Sequence, residues 1–271
     1  MSGGDLSIQG NTVGSTSSNG NYVIMQTRQD EFIAIADKIA TVYQDKFGNL
    51  RSIAVSVDGV IIASFDHYAT NASTGTKTLT LSVVRILMRI LTPNPDPNLG
   101  DIYIIKSLQN EPWVRDFGAG VAITPSSDKV AIGSPNENSV YTYSLDENRA
   151  MDKSTKAVIK HTDHTSKTFG WRVALSEAGG SIAVASPGTF IENVDVGAIF
   201  VYVWKDNAWY GVDTVLYGAN GMRKIGIGGI AINGINGQVD VQDNNNNRNS
   251  FMVSTQSWLI ESILLALSNT C

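Results

Sequence analysis

The histidines are the side chains of this chain that most readily suggest acid–base or metal chemistry. His161 and His164 are three positions apart with the carboxylate of Asp163 between them, and His67 is distant in sequence. In a loop the two imidazoles could chelate a metal ion, but a zinc site needs three or four protein ligands and no further ligand accompanies this pair. The segment precedes a predicted strand, so we interpret it as an exposed polar loop.

The signature motifs of common catalytic and nucleotide-binding sites do not occur in the sequence. It contains neither a Gly-x-Ser-x-Gly elbow nor a Gly-x-x-x-x-Gly-Lys-Ser/Thr phosphate loop. Residues 226–229 superficially look like a dinucleotide-binding loop but lack its alternating strand–helix context. We therefore predict a protein that is not an enzyme. The open alternative is a hydrolase or lyase whose site lies at one end of the central axis of the fold.

Two stretches of the chain are nearly identical in pattern. Residues 117–135 read FGAGVAITPSSDKVAIGSP, and residues 169–187 read FGWRVALSEAGGSIAVASP, 52 positions later. Self-similarity at a fixed period of this size indicates a repeat architecture. In the second copy, two apolar runs too short for helices, 173–175 and 182–185, flank a glycine-bearing turn, which predicts a β-hairpin.

Further strands follow each predicted hairpin. In the second copy they are 197–203 and 209–216, and four short antiparallel strands in about 50 residues are typical of a β-propeller blade. The hairpin pattern also fits residues 53–66, 23–37 and a segment from 230. The prediction is an all-β fold, a β-propeller or partial propeller of about five four-stranded blades.

The domain organisation follows from this pattern. We assign residues 21–255 to the propeller, with an insertion at 67–100. Residues 1–20 are rich in Gly, Ser and Asn, lack the pattern of a secretory signal peptide, and predict a flexible arm. Residues 256–271 form an apolar C-terminal segment, which either packs on the propeller or docks another subunit.

The repeat resembles a known family. Phe117-Gly118 with Gly133-Ser134-Pro135, and Phe169-Gly170 with Ala185-Ser186-Pro187, resemble FG-GAP repeats, which build the propeller of integrin α-subunit heads and of many secreted or surface proteins. The resemblance is specific over about 101–218. It implies a propeller that binds other molecules and is usually not an enzyme.

A calcium site is a further implication of this resemblance. Integrin-type FG-GAP blades carry a calcium loop just before an apolar strand, and Asp243, Asn245 and Asn247 match its first three ligand positions. Ca²⁺ takes about 6–8 oxygen ligands. Arg248 replaces the glycine of that loop, the closing aspartate is absent, and Asp243 is the one charged ligand. We predict weak Ca²⁺ binding or a solvated asparagine-rich connection, and no other cofactor.

Composition narrows the functional classes. The chain has 20 basic and 25 acidic residues, a balance of −5, whereas a nucleic-acid-binding surface would be clearly basic. Its single cysteine, Cys271, allows no internal disulfide. No apolar run reaches the ~20 residues of a transmembrane span. The compartment stays open between the cell interior, an assembled particle and the cell surface, where the sequon at Asn71 would matter.

One apolar segment has two interpretations. Residues 83–91 predict a buried or half-buried strand on which Arg85 and Arg89 point outward. Alternatively, the i and i+4 spacing of the two arginines fits an amphipathic helix against a partner or a membrane surface. Aromatic residues in the third and fourth strands, such as Tyr202 and Trp209, are predicted to pack blade against blade.

The sequence as a whole favours a structural or interaction module, a rigid scaffold within a larger assembly such as a virion or a surface complex. Its expected partners are other protein subunits. The alternative is an adhesion module that binds glycans or proteins with weak Ca²⁺ dependence, because exposed aromatic rings can stack on sugars.

Overall fold

The structure is a computed structural model. It describes residues 5–9, 12–16, 24–26, 32–34, 49–56, 60–89, 102–108, 116–162, 168–192, 194–212, 215–218, 224–233, 238–242 and 248–252.

These described residues are almost entirely β-strand. The first strands in chain order are β1 (Asp5–Gln9), β2 (Thr12–Thr16), β3 (Ile24–Gln26), β4 (Phe32–Ala34), β5 (Asn49–Val55), β6 (Val60–Thr70), β7 (Lys77–Arg89), β8 (Ile102–Leu108), β9 (Val121–Ile123), β10 (Lys129–Ser134), β11 (Ser139–Leu145) and β12 (Met151–Lys160). They continue with β13 (Arg172–Leu175), β14 (Ser181–Ser186), β15 (Phe190–Ile191), β16 (Val194–Asp195), β17 (Ala198–Lys205), β18 (Ala208–Gly211), β19 (Leu216–Tyr217), β20 (Gly229–Ile232), β21 (Gln238–Gln242) and β22 (Arg248–Met252). The described residues contain one 3₁₀ turn, Pro135–Glu137, and no α-helix, which confirms the all-β class.

Three antiparallel sheets follow one another along the chain. Sheet I has the strand order β5-β6-β7-β8, sheet II has β12-β11-β10-β9, and sheet III has β13-β14-β17-β18, with β19 also paired to β17. The predicted hairpins of both repeat copies are confirmed, because Ala122 pairs with Ala131 and Ala174 with Ala183. The β5–β6 hairpin matches the pattern predicted at 53–66.

Sheet I contains part of the expected insertion. Strands β6 and β7 stay paired out to Thr70 and Lys77, so residues 67–89 lengthen the central hairpin of the sheet. Residues 90–101, also in or next to the expected insertion, lie outside the described residues. The backbone pairing of this long hairpin tolerates the polar side chains between 67 and 82 wherever they face water.

The fourth sheet joins the two ends of the chain. Sheet IV has the order β2-β1-β20-β21-β22, and β1 pairs in parallel with β20 through Leu6 and Gly229. Residues 5–16 therefore form a hairpin within the segment 1–20 for which we expected a flexible arm. Composition does not reveal such a strand, because its backbone hydrogen bonds are completed by residues more than 200 positions away.

The first strands of the sheets lie side by side. Strand β5 contacts β9, β9 contacts β13, and β13 contacts β20. Strand β1 contacts β20 within sheet IV, and β2 of the same sheet contacts β5, so the N-terminal hairpin brings sheet IV against sheet I. The sheets stay separate in their hydrogen bonding and meet through their faces.

An apolar layer separates each pair of consecutive sheets. Sheet II turns Ile123 and Ile132 toward sheet I, and it turns Ala122 and Ala131 toward Val173, Leu175, Ile182 and Val184 of sheet III. Sheet III in turn places Ala174, Ala183 and Ala185 against Ile225, Ile230, Val239 and Val241. Each alanine-bearing face thus packs on a face of larger side chains, which lets the sheets approach closely around their first strands.

The expectation for Arg85 is wrong in one respect. Residues 83–89 form a strand, as the first interpretation predicted, but Arg85 is 7% exposed instead of pointing into water. The reason is that sheet I is buried on both faces, so alternation along β7 does not create a solvent face. Burial lowers the pKa of the Arg85 guanidinium from its ordinary value.

Candidate functional site

The turns that precede β9, β13 and β20 have the same geometry. The N–H of Ala119 donates to the carbonyl of Asp116 at 3.1 Å, and the N–H of Trp171 donates to that of Thr168 at the same distance. A third turn, from Lys224 to Ile227, repeats this hydrogen bond at 3.2 Å. The glycine at the third position of each turn has a positive φ, +86° at Gly118, +93° at Gly170 and +78° at Gly226. A turn with positive φ at this position strongly favours glycine.

The same glycines touch the preceding sheet. A Cβ atom built on Gly118 would lie 2.6 Å from Cβ of Ser64 in sheet I. One built on Gly226 would lie 2.5 Å from Cβ of Ala185 in sheet III. Gly170 meets Gly133 of sheet II, where a Cβ atom on Gly133 would lie 1.8 Å from the Gly170 carbonyl oxygen. Ser64, Gly133 and Ala185 lie on β6, β10 and β14, the second strands of their sheets, so a turn glycine contacts the second strand of the preceding sheet three times.

A charged cluster surrounds the first of these turns. The Nη1 atom of Arg51, on β5, donates to Oδ1 of Asp116 at 2.6 Å and lies 3.4 Å from Oδ2 of Asp66 on β6. The Ser82 hydroxyl donates to Oδ1 of Asp66 at 2.7 Å. The carboxylate of Asp66 has a side chain 9% exposed, so these partners offset its loss of hydration. The cluster ties sheet I to the turn that opens sheet II.

Tyr68 extends this cluster toward solvent. Its hydroxyl donates to Oδ2 of Asp66 at 3.4 Å, and the residue is 43% exposed. Partial burial, followed by the negative charge of Asp66, raises the pKa of the Tyr68 phenol above its ordinary value. Tyr68 is therefore a neutral hydrogen-bond donor at the rim and does not supply a phenolate nucleophile at neutral pH.

Arg172 performs a similar task at the start of sheet III. Its Nη1 atom donates to the carbonyl of Ala119 at 2.8 Å and to that of Trp171 at 3.2 Å. The indole of Trp171 has both guanidinium groups nearby, with Cζ of Arg172 at 5.6 Å and Cζ of Arg51 at 5.9 Å from its ring centre. Such cation–π contacts contribute about 0.5–1 kcal/mol each at partly exposed sites. Side chains from sheets I, II and III thus meet where the first strands begin.

A second inter-sheet contact lies at the opposite end of the first strands. Lys129, on β10, places its ammonium group 4.9 Å from the ring centre of Trp204 and 5.4 Å from that of Trp209. It also donates to the carbonyl of Gly179 at 2.9 Å, and Nε1 of Trp209 donates to the Thr142 hydroxyl at 2.9 Å. Burial lowers the pKa of the Lys129 ammonium. These contacts bind sheet II to sheet III.

One exposed apolar element projects from sheet III. The short hairpin of β15 and β16 carries Phe190, Ile191 and Val194, which are 43%, 40% and 45% exposed. It leaves the sheet at the end of β14 and returns at the start of β17, on the side where β13 begins. The sequence analysis did not predict this element, although four apolar residues between Pro187 and Gly197, in the connection of two strands, were a usable signal.

The charged side chains at the strand ends form contacts that link consecutive sheets, and this structural role accounts for their positions more directly than catalysis does. The carboxylates of Asp66 and Asp116 are held by Arg51, and Nη1 of Arg172 donates to two backbone carbonyls. Within the described ranges, no group of three or more His, Cys, Asp or Glu side chains could hold a metal ion. No helix among the described residues is long and apolar enough to cross a membrane.

The predicted calcium ligands Asp243, Asn245 and Asn247 lie outside the described residues. The strands on either side are described, and Gln242 of β21 pairs with Arg248 of β22. The loop therefore connects two antiparallel strands, and the calcium site stays a prediction.

His161 is a packed aromatic side chain. Its ring stacks on Phe169 at 5.1 Å and lies 4.4 Å from the ring of Phe200. The interpretation of this residue as part of an exposed loop is therefore wrong, because its ring enters the aromatic layer between sheets II and III. Asp163 and His164 lie outside the described residues.

The prediction that aromatic residues of the third and fourth strands pack between the sheets is confirmed for Phe200, Tyr202 and Trp209, whereas Tyr210 is 42% exposed. Phe169 packs edge-on against Phe200 and Tyr202, and Trp209 contacts Thr142 of the neighbouring sheet. Burial raises the pKa of Tyr202 to about 12. These rings belong to the layer between sheets II and III.

Comparison with known sequences identifies no relative. No family model matches the chain, and no curated protein sequence matches it.

Comparison with solved structures shows a propeller-like fold. The chain is similar to KlAtg21 in its complex with the coiled coil of AgAtg16, with a TM-score of 0.53 and 9% identity over 93% of this chain and 66% of that chain. It is similar to a luciferin-regenerating enzyme, with a TM-score of 0.51 and 10% identity over 89% of this chain and 70% of that chain. It is also similar to a candidate 6-phosphogluconolactonase from Bacteroides uniformis, with a TM-score of 0.51 and 12% identity over 92% of this chain and 66% of that chain.

These similar structures are β-propellers of the WD40 and 6-phosphogluconolactonase kinds, and the FG-GAP resemblance stays a prediction. The chain spans about two thirds of the length of the structures that it matches. At such low identity the likeness is evidence of fold alone.

Proposed function

We propose that this chain is a rigid β-propeller scaffold that binds other protein subunits within a larger assembly and is not an enzyme. The observation that carries the proposal is a combination of two features. The charged groups at the strand ends are used to fasten one sheet to the next, whereas an apolar hairpin, β15–β16, is left exposed to solvent. Exposed apolar groups on an otherwise well-packed domain commonly mark protein contacts.

Rigidity follows from the repeated glycine contact. Each turn fits into the preceding sheet with no room for a side chain, and Ser64 adds a 2.6 Å hydrogen bond to the Gly118 carbonyl. Packed interiors of this kind have few alternative arrangements. A rigid frame holds surface elements in fixed positions, and a fixed position lowers the entropic cost of binding a partner.

The number of blades is part of the proposal. Sheets I to IV supply four blades, with the β1–β2 hairpin as part of sheet IV, and the paired strands β3 and β4 belong to the remaining sector. We propose five sectors around one axis, related to FG-GAP repeats through the turns at Phe117-Gly118 and Phe169-Gly170. This count agrees with the range of about 4–8 blades in propellers.

The experiment compares the chain from its native source with the isolated recombinant chain. Both are passed through size-exclusion chromatography with light scattering, under the same buffer conditions. The proposal expects the native chain to elute with other proteins in a complex of defined stoichiometry, which the recombinant chain re-enters when it is added back. A native chain that runs as a free monomer and turns over a small-molecule substrate would contradict the proposal.

A further inference from the structure

The β15–β16 hairpin presents apolar side chains on both of its faces. Phe190 pairs with Asp195, and Ile191 pairs with Val194. Directly opposite residues of an antiparallel pair lie on the same face, and neighbours along a strand lie on opposite faces. Ile191 and Val194 therefore occupy one face and Phe190 the other. A flat surface can cover one face of such a hairpin, whereas a concave pocket covers both.

The turn of the hairpin contains a glutamate, Glu192, at a position where the backbone conformation favours other residue types. Glu192 begins the turn between Ile191 and Val194, is exposed, and has a φ of +49°. Gly, Asn and Asp are the residues that a hairpin turn with positive φ normally uses. The backbone conformation therefore does not favour a glutamate at this position. Residues in such sparsely populated conformations cluster at binding and active sites.

The two acidic groups of the hairpin differ in their surroundings. The carboxylate of Asp195 lies 3.0 Å from the Lys224 ammonium, so its charge is offset within the chain. Among the described residues, no basic side chain forms an ion pair with Glu192. The tip of the hairpin thus combines an apolar surface with one carboxylate whose charge remains uncompensated there.

We propose that the β15–β16 hairpin is the docking element for a protein partner whose surface offers an apolar pocket with a lysine or arginine at its rim. Phe190, Ile191 and Val194 enter the pocket, and Glu192 pairs with the basic group. The inference rests on the proposed scaffold function and names the chemistry of the partner. Anchors of this type, few and central, carry most of the binding energy of an interface.

A second copy of the chain fits the hairpin less well than a different protein. In a two-fold symmetric dimer centred on the hairpin, the same patch meets itself, and each Glu192 would approach its own symmetry mate. Like charges opposed in this way disfavour association.

A membrane is also a poorer occupant than a protein. The chain has a net charge of −5, and the hairpin carries its own carboxylate at the tip. Cytoplasmic membrane surfaces are negative, and segments that bind them are typically rich in lysine and arginine. The three apolar side chains of the hairpin are too few to offset the repulsion between this negative chain and a negative membrane surface.

The test begins with photo-crosslinking of the full chain in its native source. The photoreactive residue p-benzoylphenylalanine replaces Phe190 in one version and Tyr210 in a matched control, because Tyr210 is also 42% exposed but lies on β18. The protein captured at position 190 is then purified, and its affinity for the unmodified chain and for variants is measured by calorimetry at low and high salt.

The expected result has two parts. The triple variant F190S/I191S/V194S weakens binding by about 100-fold, because it removes the apolar anchors. E192Q weakens binding by about fivefold at low salt and has no effect at 1 M salt, because rim charges act through screened attraction. E192N, which suits the turn, behaves like E192Q. The controls Y210S and E177Q, at exposed positions outside the hairpin, bind like the unmodified chain. The melting temperature of every variant is measured so that binding is compared only well below unfolding.

Several outcomes would overturn the inference. Capture of a second copy or of lipid at position 190 excludes the protein partner described above, and so does a captured protein whose affinity is unchanged in E192Q at low salt. If capture occurs at position 210 and not at 190, the docking element is elsewhere and the scaffold function stands. If neither position captures a protein and the native chain is monomeric, the scaffold function fails as well.

Discussion

Gly133 and Gly170 touch through their backbones, so that a Cβ atom on Gly133 would lie 1.8 Å from the carbonyl oxygen of Gly170. The two residues belong to consecutive sheets, and equivalent contacts join Gly118 to Ser64 and Gly226 to Ala185. The spacing shared by the two repeat copies, residues 117–135 and 169–187, therefore has a physical cause. Each copy must place a glycine turn where it fits against the second strand of the sheet before it.

The Arg51 cluster should contribute to stability through its charge and geometry. We expect Arg51→Met to lower the free energy of unfolding by about 2 kcal/mol, because the nearly buried carboxylate of Asp66 loses its cation. In a double-mutant cycle with Asp116→Asn, a coupling energy of about 1 kcal/mol is expected from the 2.6 Å pair. Urea unfolding at neutral pH measures both. Additive effects of the two substitutions would show that the pair is not an effective link.

Tyr202 should make the fold sensitive to alkaline pH. Its pKa is raised to about 12 by burial in the folded chain, whereas an unfolded tyrosine ionises near pH 10. Between these values the unfolded chain loses the proton first, so stability falls as the pH rises from 10 toward 12.

We expect Tyr202→Phe to reduce this alkaline loss by about 2 kcal/mol, measured by urea unfolding at several pH values. Tyr210→Phe, at an exposed position of the same sheet, is the control and should leave the slope unchanged. Equal slopes for Tyr202→Phe and the unmodified chain would refute the assignment.

Removal of residues 1–20 distinguishes a flexible arm from a structural hairpin. Because β1 pairs with β20 within sheet IV and the hairpin contacts β5 of sheet I, deletion of residues 1–20 should lower the melting temperature by several degrees. Amide hydrogens of β20 and β21 should also exchange faster. An unchanged melting temperature and unchanged exchange would support the arm that the composition predicts.

Calcium provides a separate test of the resemblance to FG-GAP repeats. If Asp243, Asn245 and Asn247 bind Ca²⁺ weakly, 10 mM CaCl₂ should raise the melting temperature by a few degrees, because a ligand that binds the folded state stabilises it. The increase should be absent in Asp243→Asn and with MgCl₂ at the same concentration. No shift with CaCl₂ would exclude the calcium site.

The hairpins and their order could be read from the sequence because the information is local. Val121–Ile123 and Val130–Ile132 alternate with small residues around a polar turn, and their repeat at 173–185 fixes the assignment. The interpretation of buried aromatic strands also depended on a local pattern, and Tyr202 and Trp209 pack as predicted.

Features that depend on distant partners could not be read in this way. The position of Arg85 depends on burial of both faces of sheet I, and that of His161 depends on rings from another strand, Phe169 and Phe200. The parallel pairing of Leu6 with Gly229 joins opposite ends of the chain. Neither periodicity nor composition reports such contacts, because each residue type is compatible with several partners.

Consecutive sheets are locked by close contacts between a turn glycine and the sheet before it, and these contacts leave no room for an added side chain. The most direct measurement is the free energy of unfolding of Gly133→Ala compared with Gly180→Ala, since a Cβ atom on Gly180 would meet nothing within 4 Å. We expect Gly133→Ala to lose about 3 kcal/mol or more and Gly180→Ala to change by less than about 1 kcal/mol. Equal stability of the two variants would contradict the account.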